Sequence, residues 1–401
     1  MRRVVVTGLG PVSSIGIGVA AFLSALRAGR SGISPIAGFD ASGFPHRHAG
    51  EVRDFRPEEI LRRISPGDWG HSAQLAACAA RLAAQDAGLE PGGAWADEAG
   101  AVIGTTSGES QVVESLVDQQ MAGGLAGMSV ASIRQLPAER LSYAVADELG
   151  LAGEALTLAT ACSASNYAIG YAYDCVASGE AEVMVAGGAD SVCRWAHAGF
   201  YRLGALTEKE CRPFDATRSG ILTAEGGAVL VLEEAGHAAA RGARVYAEVL
   251  GYGVNCDAGH MVSPNEENIA ACMRIAHRKA GIKPGDVDYI SAHGTGTRAN
   301  DLVEARAIRA VFGAVTPPTS SIKSMLGHTM GAASGFGAIA TTLAIAEGFL
   351  PPTINWSTAD PDMPWIDPVA GTSRPAEVRV AQNNGFAFGG NNAITVFGAV
   401  E

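Results

Sequence analysis

A cysteine at a bend and two histidines set among glycines are the side chains of this sequence best suited to nucleophilic chemistry. Cys162 lies in residues 157–166, Thr-Leu-Ala-Thr-Ala-Cys-Ser-Ala-Ser-Asn, where a strand-like run gives way to small apolar residues that stop at Ser178-Gly179. The pattern predicts a strand, a sharp turn and a helix with a glycine stop. Cys162 then falls in the first helical turn, where unpaired N–H groups and the positive dipole end favour thiolate over thiol. His293 begins His-Gly-Thr-Gly-Thr at 293–297, and His328 follows Gly327. Glycine beside each imidazole leaves the backbone open to close approach of a ligand. A sulfur nucleophile with two imidazoles able to hold or donate a proton is the chemistry these residue types could perform together.

Bringing them together falls to the elements around them. Residues 182–188 read as a buried strand after the Cys162 helix, so the first unit is strand, Cys, helix, strand. Residues 4–6, 101–104 and 227–233 are further strands, and 19–28, 71–88, 112–121 and 139–148 are helical. The second half repeats this layout. A strand at 244–251, a helix at 268–280, a strand at 287–291 running into His293, and the stretch 319–328 before a small-residue helix at 331–346 match the first half in order. The expected fold is α/β, with two pseudo-symmetric halves rich in βαβ units, residues 1–240 and 241–401, parted near 235–243. That symmetry sets Cys162 of the front half near His293 and His328 of the back half, at the strand ends where α/β folds place ligands.

Composition narrows the function class. Of 401 residues, 47% are hydrophobic, 17% charged and 51 are glycine, the profile of a globular α/β enzyme with many tight turns. A net charge of −12 argues against broad contact with nucleic acid, and no apolar run approaches the ~20 residues of a membrane helix. Seven cysteines without a Cys-x-x-Cys pair fit a reducing, cytoplasmic setting, with neither a disulfide frame nor a thiolate metal site expected. Gly8-Leu-Gly10-Pro11 lacks the third glycine of a dinucleotide fingerprint, so no nucleotide site is expected. His46 and His48 read as surface residues rather than metal ligands, and Arg62-Arg63, or Arg202, Arg212 and Arg218, could form a basic patch for an acidic partner.

Four motifs taken in order carry a resemblance. Thr160-Ala-Cys-Ser-Ala164, His293-Gly-Thr-Gly-Thr297, Lys323-Ser-Met-Leu-Gly-His328 and Gly385-Phe-Ala-Phe-Gly-Gly-Asn391 resemble the β-ketoacyl-acyl carrier protein synthases of the thiolase-like superfamily. The resemblance implies an αβαβα layered fold and a decarboxylative Claisen condensation, with the acyl chain held on Cys162 and malonyl thioester as the extender. It implies an oxyanion hole from the N–H groups of Cys162 and Phe388, an enolate held by His293 and His328, and Lys323 supporting the histidines. Thr295 and Thr297 match positions that bind the phosphopantetheine arm, and Phe386 and Phe388 stand at the aromatic gate. No intrinsic cofactor is implied; the substrates ride on the phosphopantetheine arm of acyl carrier protein, the expected partner.

Departures from the pattern refine it. Two histidines rather than His and Asn resemble the elongating class, and a chain-length factor would lack Cys162. Gly337 stands where fatty-acid enzymes carry the glutamate that partners the lysine, and Ser334 replaces the last glycine of a Gly-Ala-Ala-Gly run. Arg298-Ala-Asn300-Asp301 replaces Pro-x-Gly-Asp and is similar to ketosynthase subunits of bacterial type II polyketide systems, which implies a heterodimer with a chain-length factor. A homodimeric fatty-acid synthase of the same chemistry is the alternative, and a non-catalytic scaffold subunit the third reading.

Overall fold

The predicted strands join one mixed sheet in the computed structural model, which describes residues 1–400. Its main strands are β1 Val4–Ser13, β2 Gly100–Gly104, β3 Ala155–Leu158, β4 Val183–Asp190, β5 Gly226–Glu234, β6 Ala247–Cys256, β7 Tyr289–Ser291, β8 Thr319–Ser320, β9 Val380–Phe386 and β10 Asn391–Gly398. They lie in the order β8-β7-β9-β10-β6-β1-β5-β4-β2-β3, and Gly16–Ile17 adds an eleventh strand beside β1.

That order contains the same motif twice. In β1-β5-β4-β2-β3 the first two pairings are antiparallel and the last two parallel. The back strands β6-β10-β9-β7-β8 pair in the same sequence of directions. The two sets meet where Val4, Val5 and Val6 pair with Val249, Glu248 and Ala247.

The helices that shape the site are α1 Val19–Ala28, α2 His71–Asp86, α3 Ser110–Gly123, α4 Val130–Gln135, α5 Arg140–Leu149, α6 Ala164–Ser178, α7 Arg194–Arg202, α8 Glu266–Ala280, α9 Arg298–Phe312 and α10 Ala333–Glu347. Helix α6 packs on β2 and β4 of the front half and on β6 and β10 of the back half, while α10 packs on β9 and β10 and reaches β1 and β5. The pair forms a central layer, α2 covers β1 and β5 on one outside, and α8 covers β6 and β10 on the other. With the two halves of the sheet on either side of the central pair, the layers run helix, half-sheet, helix, half-sheet, helix. Helix α10 is buried up to its last turn and ten of the fifteen residues of α6 are buried, which explains why neither sequence shows a broad polar stripe.

Close helix approach accounts for several of the glycines in these strands. A Cβ on Gly8 would lie 2.2 Å from the Ala83 oxygen and one on Gly10 1.8 Å from that of Ala79, so both let α2 sit on β1. Gly251 was expected to end a strand at 244–251. The strand instead runs Ala247–Cys256, because Gly251 and Gly253 lie under α8 and a Cβ at either would meet its backbone within 3 Å. Strand β9 escaped the hydrophobic pattern since its centre is Gln382-Asn383-Asn384, all buried and hydrogen-bonded. Helix α9 also went unread, and the helix expected from 331 starts at Ala333 after a 3-10 turn over Met330–Ala332. Among the described residues no helix is long and apolar enough to cross a membrane.

Candidate active site

Cys162 sits at an elbow built by backbone strain. After β3 the chain makes a 3-10 turn over Ala161–Ser163 before α6, and Ala161 holds a φ of 52°. A non-glycine residue there costs roughly 1–2 kcal/mol. Met330, three residues before α10 as Ala161 is before α6, has a φ of 51° and opens the equivalent turn. Gly331 is thus the counterpart of Cys162. A Cβ on Gly331 would lie 2.6 Å from Asp190 Oδ2 and from Thr105 Cα, so only one of the two elbows has room for a side chain.

The elbow of α6 opens into a cavity of about 390 Å³ lined by Cys162, His293, His328, Thr295, Thr297, Phe386 and Phe388, among others. Residues far apart in sequence converge there, the thiol from the front half and both imidazoles from the back. The imidazole centroids are 5.6 Å apart with their planes nearly perpendicular. Cys162, both histidines and Lys323 are buried.

His328 is held on both sides. Its N–H donates to the Leu222 oxygen at 2.7 Å and its carbonyl accepts from Ala224 at 2.9 Å. Its ring Nδ1 accepts the Met330 N–H at 3.0 Å, so the neutral ring carries its proton on Nε2. His293 is braced by Glu304, whose two oxygens accept the N–H groups of His293 and Gly294 at 2.8 Å each, and by Lys323 Nζ, which donates to the His293 carbonyl at 2.5 Å. Asn384 in turn donates to Glu304 Oε1 at 2.9 Å. Burial, the Lys323 charge and the neighbouring ring hold the His293 pKa well below the ordinary value, and burial and Lys323 do the same for His328. Both shifts favour the neutral rings, and His328 then presents Nε2–H.

Cys162 departs from the expected low-pKa thiolate. Burial pushes its thiol up to about 11, with Asp190 adding to the rise, while Lys323 and the N–H groups of Cys162 and Phe388 pull it down. Desolvation outweighs the helix end. Lys323 is itself pulled below its ordinary value by burial, with Glu304 the acid that most supports its charge. Position 337 cannot supply that acid, since a Cβ there would lie 2.2 Å from Asn383 Oδ1.

At the mouth, the Phe388 ring is partly exposed and 6.0 Å from that of Phe200. Phe386 is buried at the end of β9 and packs edge-on against His293 at 5.6 Å. The hydroxyls of Thr295 and Thr297 are 2.9 Å apart, and Thr297 caps α9. Of the arginines expected to form a basic patch, Arg218 is buried in contacts with Asp301 and Asp360, and Arg212 pairs with Glu210 at 2.6 Å, so those two do not contribute.

Two acids were missed from sequence. Glu304 lies one turn after Asp301 on the buried face of α9, a spacing that could have been noticed had that helix been recognised. Asp190 ends β4 and accepts from Thr105 Oγ1, Thr106 N, Ser107 N and Gly331 N at 2.6–3.1 Å, tying the two halves together behind the nucleophile.

Comparison with known proteins gives this geometry its context. The β-ketoacyl synthase N-terminal domain matches residues 1–238 and the C-terminal domain residues 246–357. The 3-oxoacyl-[acyl-carrier-protein] synthase 2 of Synechocystis sp. is 40% identical over 407 residues, 99% of this chain and 98% of that one. A chain of the ishigamide ketosynthase/chain length factor superposes with a TM-score of 0.98 at 49% identity, with all of both chains covered. A chain from a type II PKS acyl-carrier protein in complex with its ketosynthase gives 0.91 at 32%, again over both whole chains. With both domains matched in order and relatives aligned end to end, the chain belongs to the β-ketoacyl synthase family of acyltransferases.

Proposed function

We propose that this chain is the cytoplasmic ketosynthase subunit of a type II polyketide system, with acyl carrier protein as donor of both substrates and a chain-length factor as its dimer partner. The observation that carries the chemistry is the single cavity lined by one thiol and two imidazoles, drawn from residues 1–240 and 241–401. Cys162 sulfur attacks the carrier thioester, the oxyanion is met by the N–H groups of Cys162 and Phe388, and the carrier thiol leaves. Malonyl thioester then loses CO2, and its enolate oxygen takes hydrogen bonds from His293 and His328. The enolate carbon attacks the acyl-Cys162 carbonyl, forming the new C–C bond and expelling the Cys162 sulfur. Neutral imidazoles suit this step because they donate hydrogen bonds to an anion without surrendering a proton to it. Lys323 holds the His293 backbone and lends positive charge. Thr295 and Thr297 receive the pantetheine arm, and Phe388 gates it with Phe386 behind; the exposure of Phe388 at the mouth supports that reading.

Two observations favour the polyketide reading over a homodimeric fatty-acid enzyme. Identity to the ishigamide ketosynthase/chain length factor chain is 49%, against 40% for the cyanobacterial 3-oxoacyl synthase. Position 337 is closed to a glutamate by Asn383. A partner is supported by β3, the last strand of the sheet, and by exposed Val117, Met121, Leu125, Val130, Ile133 and Trp195 on α3, α4, α7 and the turn between α3 and α4. The test is acyl loading of Cys162 by intact mass with Cys162→Ala as control, followed by co-expression with candidate partners. A protein that never gains an acyl group ends the enzyme reading, and a stable homodimer that extends saturated acyl carriers ends the polyketide one.

A further inference from the structure

The cavity mouth carries one positive side chain. Among the described residues that line the cavity, Arg298 is the only lysine or arginine. It is exposed, at the first residue of α9, directly after Thr297. Its guanidinium has no hydrogen bond or ion pair with a described residue. Its carbonyl is held instead, accepting from Arg218 Nη2 at 3.3 Å. The acids nearby have partners already: Asp360 and Asp301 face Arg218, and Asp257 accepts from Asn392 Nδ2 at 2.7 Å and Asn265 N at 3.0 Å. The backbone is thus fixed while the guanidinium stays exposed, close enough to Asp360 to help lower its pKa but not paired with it, since Asp360 is held by Arg218.

In a chain of net charge −12, an anion approaching this opening meets a repulsive field unless a local cation offsets it. Guanidinium offers a planar fork of donors that matches two phosphate oxygens at once, which an ammonium does not. Building on the ketosynthase reading above, we propose that Arg298 binds the phosphodiester of the phosphopantetheine arm and makes the enzyme select phosphate-bearing thioesters. The arm is then read along its length, with its phosphate at Arg298, its amides at Thr295 and Thr297, and its thioester at Cys162.

The experiment compares two small donors bearing the same acyl group, acyl-pantetheine and acyl-4′-phosphopantetheine, with Cys162 acylation followed by intact mass in wild type, Arg298→Ala and Arg298→Lys. Wild type is expected to prefer the phosphorylated donor, and Arg298→Ala to lose roughly tenfold in kcat/KM for it, the size of a charged hydrogen bond, while the pantetheine donor loads as before. Arg298→Lys should recover part of the loss, and added salt should shrink the wild-type preference. Equal rates for both donors in wild type, or an equal fall for both in Arg298→Ala, overturns the proposal alone. No loading of wild type from either donor overturns the ketosynthase reading with it.

Discussion

The backbone N–H of Met330 donates to Nδ1 of His328 at 3.0 Å, so the strained turn ahead of α10 decides which nitrogen of the ring carries the proton. A ring fixed in this way presents Nε2–H to the cavity and stays a donor. His328→Gln, which keeps an N–H donor near that point, should therefore retain more condensation than His328→Ala, which should lose about a hundredfold or more. Acylation of Cys162 should change little in either. The check is to measure CO2 release and Cys162 loading separately, and a matching fall in both steps would refute the assignment.

Burial also dictates how the free thiol behaves. With its pKa pushed up to about 11, the thiolate fraction of Cys162 should rise roughly tenfold per pH unit through the neutral and mildly alkaline range. Alkylation of Cys162, followed by peptide mass across pH 7–10, should climb without a plateau. Lys323→Ala removes a charge that favours thiolate and should slow alkylation at every pH. A plateau below pH 8 in the wild-type enzyme would contradict this picture.

Position 337 offers a packing test. A Cβ on Gly337 would lie 2.2 Å from Asn383 Oδ1, and Asn383 is committed to Asn166 Oδ1 at 2.8 Å and the Ser334 oxygen at 2.9 Å. Gly337→Ala should cost roughly 1–3 kcal/mol in denaturant unfolding. In an Asn383→Ala background the added cost should shrink, giving a non-additive double-mutant cycle. Strict additivity would mean that the two side chains do not compete for this space.

Asp190 accepts four hydrogen bonds and donates none, which only a carboxylate can do. Asp190→Asn turns an amide NH2 toward two of those donors and should cost roughly 1–3 kcal/mol. Burial raises the Asp190 pKa to about 6, so the carboxylate is lost as pH falls through that value. Wild-type condensation should decline below about pH 6 as the Gly331 contact weakens, and the Asn variant should be slower while lacking that inflection. An unchanged profile in the variant would assign the decline to another group.

The exposed apolar side chains make a prediction about assembly. Helix α3 is in contact with α7, which carries Trp195, and with the turn that carries Leu125. Val117 and Met121 lie four residues apart on α3, one above the other on the same face. Replacing both with glutamate should abolish association with a chain-length factor, or with a second copy, by light scattering. Loss of association with retained Cys162 loading is the expected pattern. Full association of the double variant would place the interface elsewhere.

Much of this protein could be read from residue order alone, and the reason is local. Cys162 between a β-prone run and a small-residue helix, His293 and His328 beside glycines, and the helix stops at Gly29, Gly179 and Gly281 are decided by neighbours within a few positions. The doubled layout was legible for the same reason, since each half writes its own strands and helices in the same order. What depended on distant contacts was not. Gly251 makes space for α8 rather than ending a strand, the polar centre of β9 is buried because Asn166, Glu304 and His277 arrive from elsewhere to bond it, and α9 hides Glu304 against the backbone of His293 and Gly294, outside the helix. The state of the thiol was likewise a tertiary matter: a helix end stabilises thiolate over a few ångströms, but the water that would also stabilise it is excluded by both halves of the chain at once, and only their packing decides how much.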